Sequence, residues 1–248
     1  QVILAGAPRA AWDESPRGLG AADFAMNVAL PEIDGRLTTT AISFKAEAPA
    51  NPALEFAVVR HAPDPAQIAL VADRAAGWAR LARTPPADRR IAVIVAAYPS
   101  RGGRTGYAVG LDTGRSAANV LTWLAAAGYA ADDTIPAEAI LPRLEAGTER
   151  ATLSLSAYRD WLAATPPAFR DQVMAAWGEP GDDPAVADGH FAFPVIRAGH
   201  VVLALQPERG RDADRRASYH DPALPPRHAY CAFYAWLALG RPGGGEEV

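Results

Sequence analysis

The residues best suited to chemistry lie close together near the end of the chain. His220 and His228 flank a proline-rich segment, and Asp221 directly follows the first histidine. Imidazole and carboxylate groups can exchange protons with a substrate or bind a metal ion, so these three residues are the candidate catalytic set. His220 and His228 are also the candidate metal ligands. A structural alternative stays open, because Asp221 can begin a turn with Pro222 and His228 can cap the helix that follows.

A second candidate is a glycine-rich loop over residues 100–110, between an apolar strand-like run and a helix. Backbone N–H groups at such a place can bind an anion. The loop lacks the dinucleotide-binding fingerprint, however, and the chain contains no Gly-Lys-Ser/Thr sequence of a phosphate-binding loop. A connecting loop whose glycines adopt positive φ is therefore the simpler interpretation.

Two residue types are nearly absent from the chain. Lys45 is the only lysine among 24 basic residues, which suggests a role that needs a compact ammonium group, although a solvated surface lysine is the alternative. Cys231 is the only cysteine, so a disulfide framework and a four-thiolate zinc site within the chain are excluded. Its place in an apolar helix predicts an inert, buried thiol.

The overall composition is that of a globular protein of 248 residues with a net charge of −4. Its 24 basic and 28 acidic residues are interspersed, which argues against nucleic-acid binding. No apolar run reaches the roughly 18–20 residues of a membrane span, and the lone cysteine fits a reducing, cytoplasmic location. Because the chain opens in an apolar run without a methionine, we expect an internal fragment of a longer protein.

The elements that must position the candidate residues follow from the hydrophobic pattern. Residues 91–96 form a continuous apolar run, typical of a strand buried on both faces of a parallel sheet. Further strands are predicted over 2–6, 38–44 and 55–60, and helices over 23–30, 64–83, 114–127 and 136–145. This alternation predicts the α/β class, with a doubly wound, mainly parallel sheet flanked by helices. We assign residues 1–150 to one flavodoxin-like or Rossmann-like domain.

The pattern changes after residue 150. Two short helices are predicted over 156–163 and 168–177, and a β-hairpin over 191–205 turns at Ala198-Gly199. Residues 228–239 are apolar on nearly all sides, which predicts a buried helix. We therefore expect a segment over 151–240 that packs on the first domain, followed by a tail over 241–248.

Several stretches together carry a family resemblance. They include QVIL at the start, AMNVALPEIDGR at 25–36, AISFK at 41–45, QPERG at 206–210, and YHDP with PPRHAYCAFYAWL at 219–237. In this order they resemble the large, CobN-type subunits of aerobic cobaltochelatases, which are related to magnesium chelatase H subunits. Two departures from the family pattern are Gly114-Arg115 in place of Pro-Ala and His200 in place of a frequent Asn.

The resemblance implies a fragment of a tetrapyrrole-binding subunit. Such subunits work with an AAA+ ATPase and a second small subunit to insert cobalt, as a substrate, into hydrogenobyrinic acid a,c-diamide during cobalamin biosynthesis. ATP and Mg would then be used by the ATPase partner, not bound by this chain. A His-Gly-x-x-Glu segment of the family lies beyond residue 248, so we expect the isolated fragment to be inactive.

The resemblance also assigns roles to individual residues. The expected substrate-binding residues are Lys45, Asp112, Gln206, Arg209 and Tyr219, and the catalytic ones are His220, Asp221 and His228. A histidine or carboxylate near the macrocycle can accept a pyrrolic proton, and basic side chains can pair with its carboxylates. The alternatives are a structural module that docks the ATPase subunits and a magnesium chelatase-type homologue.

Overall fold

The computed structural model describes residues 1–15, 17–48, 53, 57–96, 105, 106, 108, 110–210 and 223–240. The chain forms two compact units, residues 1–84 and residues 85–248. Each unit is built around its own sheet, and each sheet contains one parallel strand pair.

The first unit contains a three-stranded sheet in the order β1-β2-β3. Its strands are β1 (Ile3–Leu4), β2 (Ala41–Glu47) and β3 (Val59–Pro63), with β1 parallel and β3 antiparallel to β2. Its helices are α1 (Arg9–Glu14), α2 (Ala21–Phe24), α3 (Leu30–Ile33) and α4 (Pro65–Arg83). The buried core is small and centres on Phe44, whose ring meets the Trp12 ring edge-on at 5.5 Å between centroids.

The helix predicted to stop before Pro31 continues to Ile33. A π-helical turn over Ala25–Ala29 joins α2 to α3 and lies just ahead of Pro31. Proline lacks an N–H, and its ring clashes with the carbonyl four residues earlier in an α-helix. The wider π-helical turn relieves that clash, so the helical path continues through the proline.

The second unit contains a five-stranded sheet in the order β4-β8-β7-β5, with β6 paired to β7. Its strands are β4 (Ile91–Val95), β5 (Arg150–Ser154), β6 (Val186–Ala187), β7 (His190–Ala198) and β8 (Val201–Leu205). Its helices are α5 (Thr113–Ala126), α6 (Ala137–Ala146), α7 (Leu155–Ala163), α8 (Pro167–Trp177) and α9 (His228–Leu239). Only β4 and β8 are parallel in this sheet as described.

The α/β class is therefore confirmed, but the sheets are mixed rather than mainly parallel. The predicted hairpin accounts for much of the antiparallel pairing, because it places β7 and β8 side by side in opposite directions. Its turn is Gly199-His200, and Gly199 has φ 68°. A Cβ at this position would collide with the carbonyl oxygen of Ala130, so the turn requires glycine.

The division between the units lies at residues 84/85 and not near residue 150. Strand β4 comes from the predicted first domain, yet it pairs along its whole length with β8 from the predicted second segment. The sheet thus unites residues 91–205. Pairing between strands 110 residues apart leaves no local signal in the sequence.

Helices cover both faces of the second sheet. Along β7, Phe191, Phe193 and Val195 belong to the core cluster that contains α7 and α9, whereas Ile196 and Ala198 belong to the cluster that contains α5 and α6. Successive strand residues point to opposite faces, so this alternation shows that β7 is buried on both sides.

Candidate functional site

The carboxyl ends of the parallel strands β4 and β8 form the first part of the candidate site. The backbone N–H of Gln206 donates to the Val95 carbonyl at 3.0 Å, so the two strands end side by side. Gly106 lies against the same place, because a Cβ on it would be 3.0 Å from Val95 Cγ1 and 2.9 Å from Leu141 Cδ2. In open α/β sheets, ligands bind outside the carboxyl ends of parallel strands.

Gln206 is held there by two tyrosines of α9, and we call these three residues the Gln206 cluster. The side-chain Nε2 of Gln206 donates to the Tyr230 hydroxyl at 3.1 Å and to the Tyr234 hydroxyl. The two tyrosine rings are 5.1 Å apart, and Tyr234 is exposed. Both amide hydrogens are used in this way. No contact with another described residue uses the Oε1 acceptor of Gln206 or the hydroxyl hydrogen of Tyr234, so both can bind a ligand that carries amide or carboxylate groups.

Arg209 ties the same segment to the chain that precedes α9. Its Nη2 donates to the Leu224 carbonyl at 2.8 Å, and its own carbonyl accepts from the Arg227 N–H at 2.9 Å. Gln206 and Arg209, both predicted as substrate-binding residues, are thus brought together beside the start of α9. Neither tyrosine of the Gln206 cluster was predicted, because an apolar helix gives no sign of which residues it presents to a distant strand end.

His228 occupies a different environment, in the core of the second unit. The ring is fully buried, with Nδ1 2.8 Å from the Tyr158 hydroxyl and Nε2 3.0 Å from the Gly178 carbonyl. Nε2 must carry a hydrogen because a carbonyl oxygen only accepts. Both ring nitrogens are therefore engaged, and a metal ion could bind only by displacing one of these partners. The geometry favours a role in anchoring α9, of which His228 is the first residue.

A buried carboxylate completes this anchor. Asp183 is 7% exposed and accepts hydrogen bonds from Arg227 Nη2 at 2.7 Å, Arg227 Nε at 3.3 Å, Ala229 N at 3.3 Å and Ala185 N at 2.9 Å. A carboxylate at the N-terminus of a helix is favoured by the helix dipole. From the sequence, Asp182-Asp183-Pro184 predicts only the start of a loop, since the partners Arg227 and Ala229 lie more than 40 residues later.

Cys231 and Tyr158 are not activated for chemistry. Burial raises the pKa of Cys231 to about 11, so its thiol remains protonated near neutral pH. Burial also raises the pKa of the Tyr158 hydroxyl well above its ordinary value. The raised pKa of Cys231 fits the inert thiol that the sequence predicts. Both side chains therefore belong to the structural core.

Asp112 lies at the surface, at the start of α5. Its Oδ1 accepts from the Arg115 N–H at 3.0 Å, so Asp112 caps the helix. The neighbouring Gly114 has a structural explanation, because a Cβ there would be 2.6 Å from the Ala137 carbonyl oxygen. A role for Asp112 in substrate binding stays a prediction.

Lys45 belongs to the first unit, at the carboxyl end of the parallel pair β1 and β2. It lines a cleft of about 380 Å³ with Gly6, Pro8, Glu47 and Val59 among its neighbours. Lys45 is exposed, and its ammonium group makes no ion pair with any residue that the structure describes. The cleft can therefore present a positive charge to an anionic group.

The other predicted residues, Tyr219, His220 and Asp221, lie outside the described residues, so the catalytic set stays a prediction. Within the described part of the chain, no group of three His, Cys, Asp or Glu side chains is placed to hold a metal ion. In that same part, no helix combines the length and apolar character needed to span a bilayer.

Comparisons with known proteins agree with one another. The aerobic cobaltochelatase subunit CobN of Sinorhizobium sp. is 43% identical over 96% of this chain, and that of Pseudomonas aeruginosa is 41% identical over 92%. The solved structure of the catalytic subunit of cobaltochelatase from Mycobacterium tuberculosis superposes with a TM-score of 0.77 at 36% identity over 94% of this chain.

In length, the chain spans only about a fifth of these proteins, with 19% of each CobN sequence and 20% of the solved chain covered. The family model described as CobN/Magnesium Chelatase matches residues 1–240, which is nearly all of this chain. The chain therefore belongs to the CobN/magnesium chelatase family.

Proposed function

We propose that this chain is part of the tetrapyrrole-binding subunit of an ATP-dependent cobaltochelatase. In this proposal the full-length subunit inserts cobalt, as a substrate, into hydrogenobyrinic acid a,c-diamide in the cytoplasm during cobalamin biosynthesis. The observation that carries the proposal is the 43% identity to an aerobic cobaltochelatase subunit over 96% of the chain.

The geometry at the carboxyl end of β4 and β8 supports a role in holding the macrocycle. The proposed substrate carries carboxylates and carboxamides at its edge, as its chemical name states. A carboxamide can donate to Oε1 of Gln206, and a carboxylate can accept from the Tyr234 hydroxyl. Within the first unit, Lys45 separately supplies an exposed positive charge of the kind that pairs with a carboxylate.

The catalytic step requires groups that remove protons. The proton on a ring nitrogen leaves the macrocycle as the metal enters, and we assign its acceptance to the pair His220 and Asp221. His228 instead positions α9, because both of its ring nitrogens already have partners. An AAA+ ATPase partner, which acts with a second small subunit, supplies the energy by hydrolysing ATP in the presence of Mg.

Reconstitution tests this proposal directly. The full-length subunit is combined with the two smaller subunits, and ATP-dependent cobalt insertion into hydrogenobyrinic acid a,c-diamide is followed by absorbance. We expect insertion with the full-length subunit and none with residues 1–248 in its place. Magnesium insertion into a porphyrin, without cobalt insertion, would instead identify a magnesium chelatase-type homologue and overturn the proposal.

A pair of variants tests the assignment of the proton acceptors. His220→Ala in the full-length subunit should lower the rate of cobalt insertion by about 10²-fold or more, the usual worth of a general base. Tetrapyrrole affinity and thermal stability should stay near those of the wild type. Unchanged insertion by both His220→Ala and Asp221→Asn would remove these residues from the mechanism.

A further inference from the structure

The first unit exposes far more apolar surface than its core explains. Fifteen large apolar side chains are exposed among the described residues, and eleven of them belong to residues 1–84. The core of this unit consists of four buried residues, with three more packed against them. Large exposed apolar patches usually mark an interaction surface.

Helix α4 carries the clearest part of this surface, which we call the α4 apolar face. It consists of Ile68, Leu70, Val71, Trp78 and Leu81. Four of these side chains are 39–54% exposed, and no residue anywhere in this 19-residue helix is buried. At the 100° spacing of helix residues, Ala69, Ala72, Ala76 and Arg80 occupy the other side of the helix, and Gln67 and Arg74 are the polar residues within the face.

Hydrogen bonds join the N-terminal end of α4 to the rest of its own unit. Asp64 caps the helix by accepting from the Gln67 N–H at 3.1 Å, and the Gln67 side chain accepts from the Thr40 hydroxyl at 3.3 Å. Most helical stability in proteins comes from packing of an apolar face. A helix about 28 Å long with no buried side chain therefore needs a further packing partner.

We propose that the α4 apolar face docks against the part of the same subunit that lies outside residues 1–248. This inference rests on the proposed function, in which the chain is one segment of a longer polypeptide. About four-fifths of the length of the related subunits lies outside the region matched here, which provides ample chain to cover a helix face.

The character of the surface favours a permanent contact over a transient one. Permanent interfaces resemble a domain core and are rich in apolar and aromatic residues, as Ile68, Leu70, Trp78 and Leu81 are. A partner that binds and leaves during each catalytic cycle would leave α4 without a packed face for part of that cycle. A segment of the same polypeptide is always present.

Site-specific labelling of the full-length subunit tests the proposal. Trp78→Cys is compared with its matched control Ala76→Cys, and Ile68→Cys with Ala69→Cys, and maleimide modification of the peptide is followed by mass spectrometry. With no other subunit present, we expect the Trp78→Cys and Ile68→Cys variants to react about tenfold more slowly than their controls, because reaction requires local opening. Equal rates within both pairs would overturn the proposal.

The wild-type protein provides a second readout that needs no substitution. Hydroxyl-radical oxidation of Trp78 should be several-fold slower in the native subunit than in urea. Protection that arises only on adding the ATPase subunits, or only at concentrations where the subunit dimerises, would overturn the proposal in favour of those partners. Neither readout involves cobalt or tetrapyrrole, so protection without metal insertion would sustain the docking surface while refuting the proposed function.

Discussion

The role of His228 leads to a quantitative prediction. The structure favours a role in anchoring α9, whereas the sequence predicts a catalytic residue and a candidate metal ligand. His228→Ala removes a fully buried ring and leaves the Tyr158 hydroxyl and the Gly178 carbonyl without their partner. Each buried group without a hydrogen bond costs about 1–3 kcal/mol, and the vacated volume adds a cavity term. We expect the free energy of unfolding to fall by about 3–5 kcal/mol.

A second substitution separates the two hydrogen bonds. Tyr158→Phe keeps the ring in the core and removes only the hydroxyl that faces His228 Nδ1, so its cost should be about 1–2 kcal/mol. Because the two residues share one hydrogen bond, the double variant should lose about 1 kcal/mol less than the sum of the single effects.

Urea unfolding of the full-length subunit, followed by tryptophan fluorescence, measures these losses of free energy. Cobalt insertion is measured with the same variants of that subunit. Any loss of insertion by His228→Ala should track its loss of folded protein. If His228→Ala unfolded within about 0.5 kcal/mol of the wild type yet failed to insert cobalt, His228 would be a ligand or proton acceptor and the anchor role would be refuted.

Three further predictions follow from the same unit. Asp183→Asn should lower the free energy of unfolding by about 2–3 kcal/mol, because it leaves a partly buried Arg227 without its charge partner; a urea midpoint equal to that of the wild type would contradict this. Between about pH 9 and pH 11 the unfolded chain releases the Cys231 proton while the folded protein keeps it, so stability should fall with rising pH by about 2–3 kcal/mol. Cys231→Ala should lack that part of the decline, and an identical pH profile would exclude the thiol as its source. Gly199→Ala should cost at least about 2 kcal/mol, whereas Gly128→Ala, also at positive φ but with open space around it, should cost about 1 kcal/mol; equal melting temperatures would refute the close approach to Ala130.

The elements that could be predicted from the sequence are those with a strong local pattern. The apolar run at 91–96 is strand β4, the Ala198-Gly199 signal marks the β7–β8 hairpin, and the apolar segment at 228–239 is helix α9. Strand direction could not be predicted in the same way. Whether a strand pairs in parallel or antiparallel fashion depends on partners far away in sequence, as with β4 and β8.

The residues of the candidate site, too, could be predicted only in part. Gln206 and Arg209 were predicted from the family resemblance, and the structure places both beside α9. Tyr230, Tyr234 and Asp183 were missed, because each acts through a partner between 24 and 46 residues away. Such contacts are decided by packing of the whole unit, which short-range spacing does not encode.

The most direct test of the account is the affinity of the full-length subunit for hydrogenobyrinic acid a,c-diamide, measured by absorbance titration. Tyr234→Phe removes from the Gln206 cluster a hydroxyl whose hydrogen can be donated to a ligand. Tyr129→Phe is the control, because the Tyr129 hydroxyl accepts from Arg89 near the hairpin turn, at the opposite end of β8. We predict that Tyr234→Phe weakens tetrapyrrole binding about threefold to tenfold, the worth of one hydrogen bond, whereas Tyr129→Phe leaves the affinity unchanged. Equal affinities for the wild type, Tyr234→Phe and Gln206→Leu would contradict the claim that this segment holds the substrate.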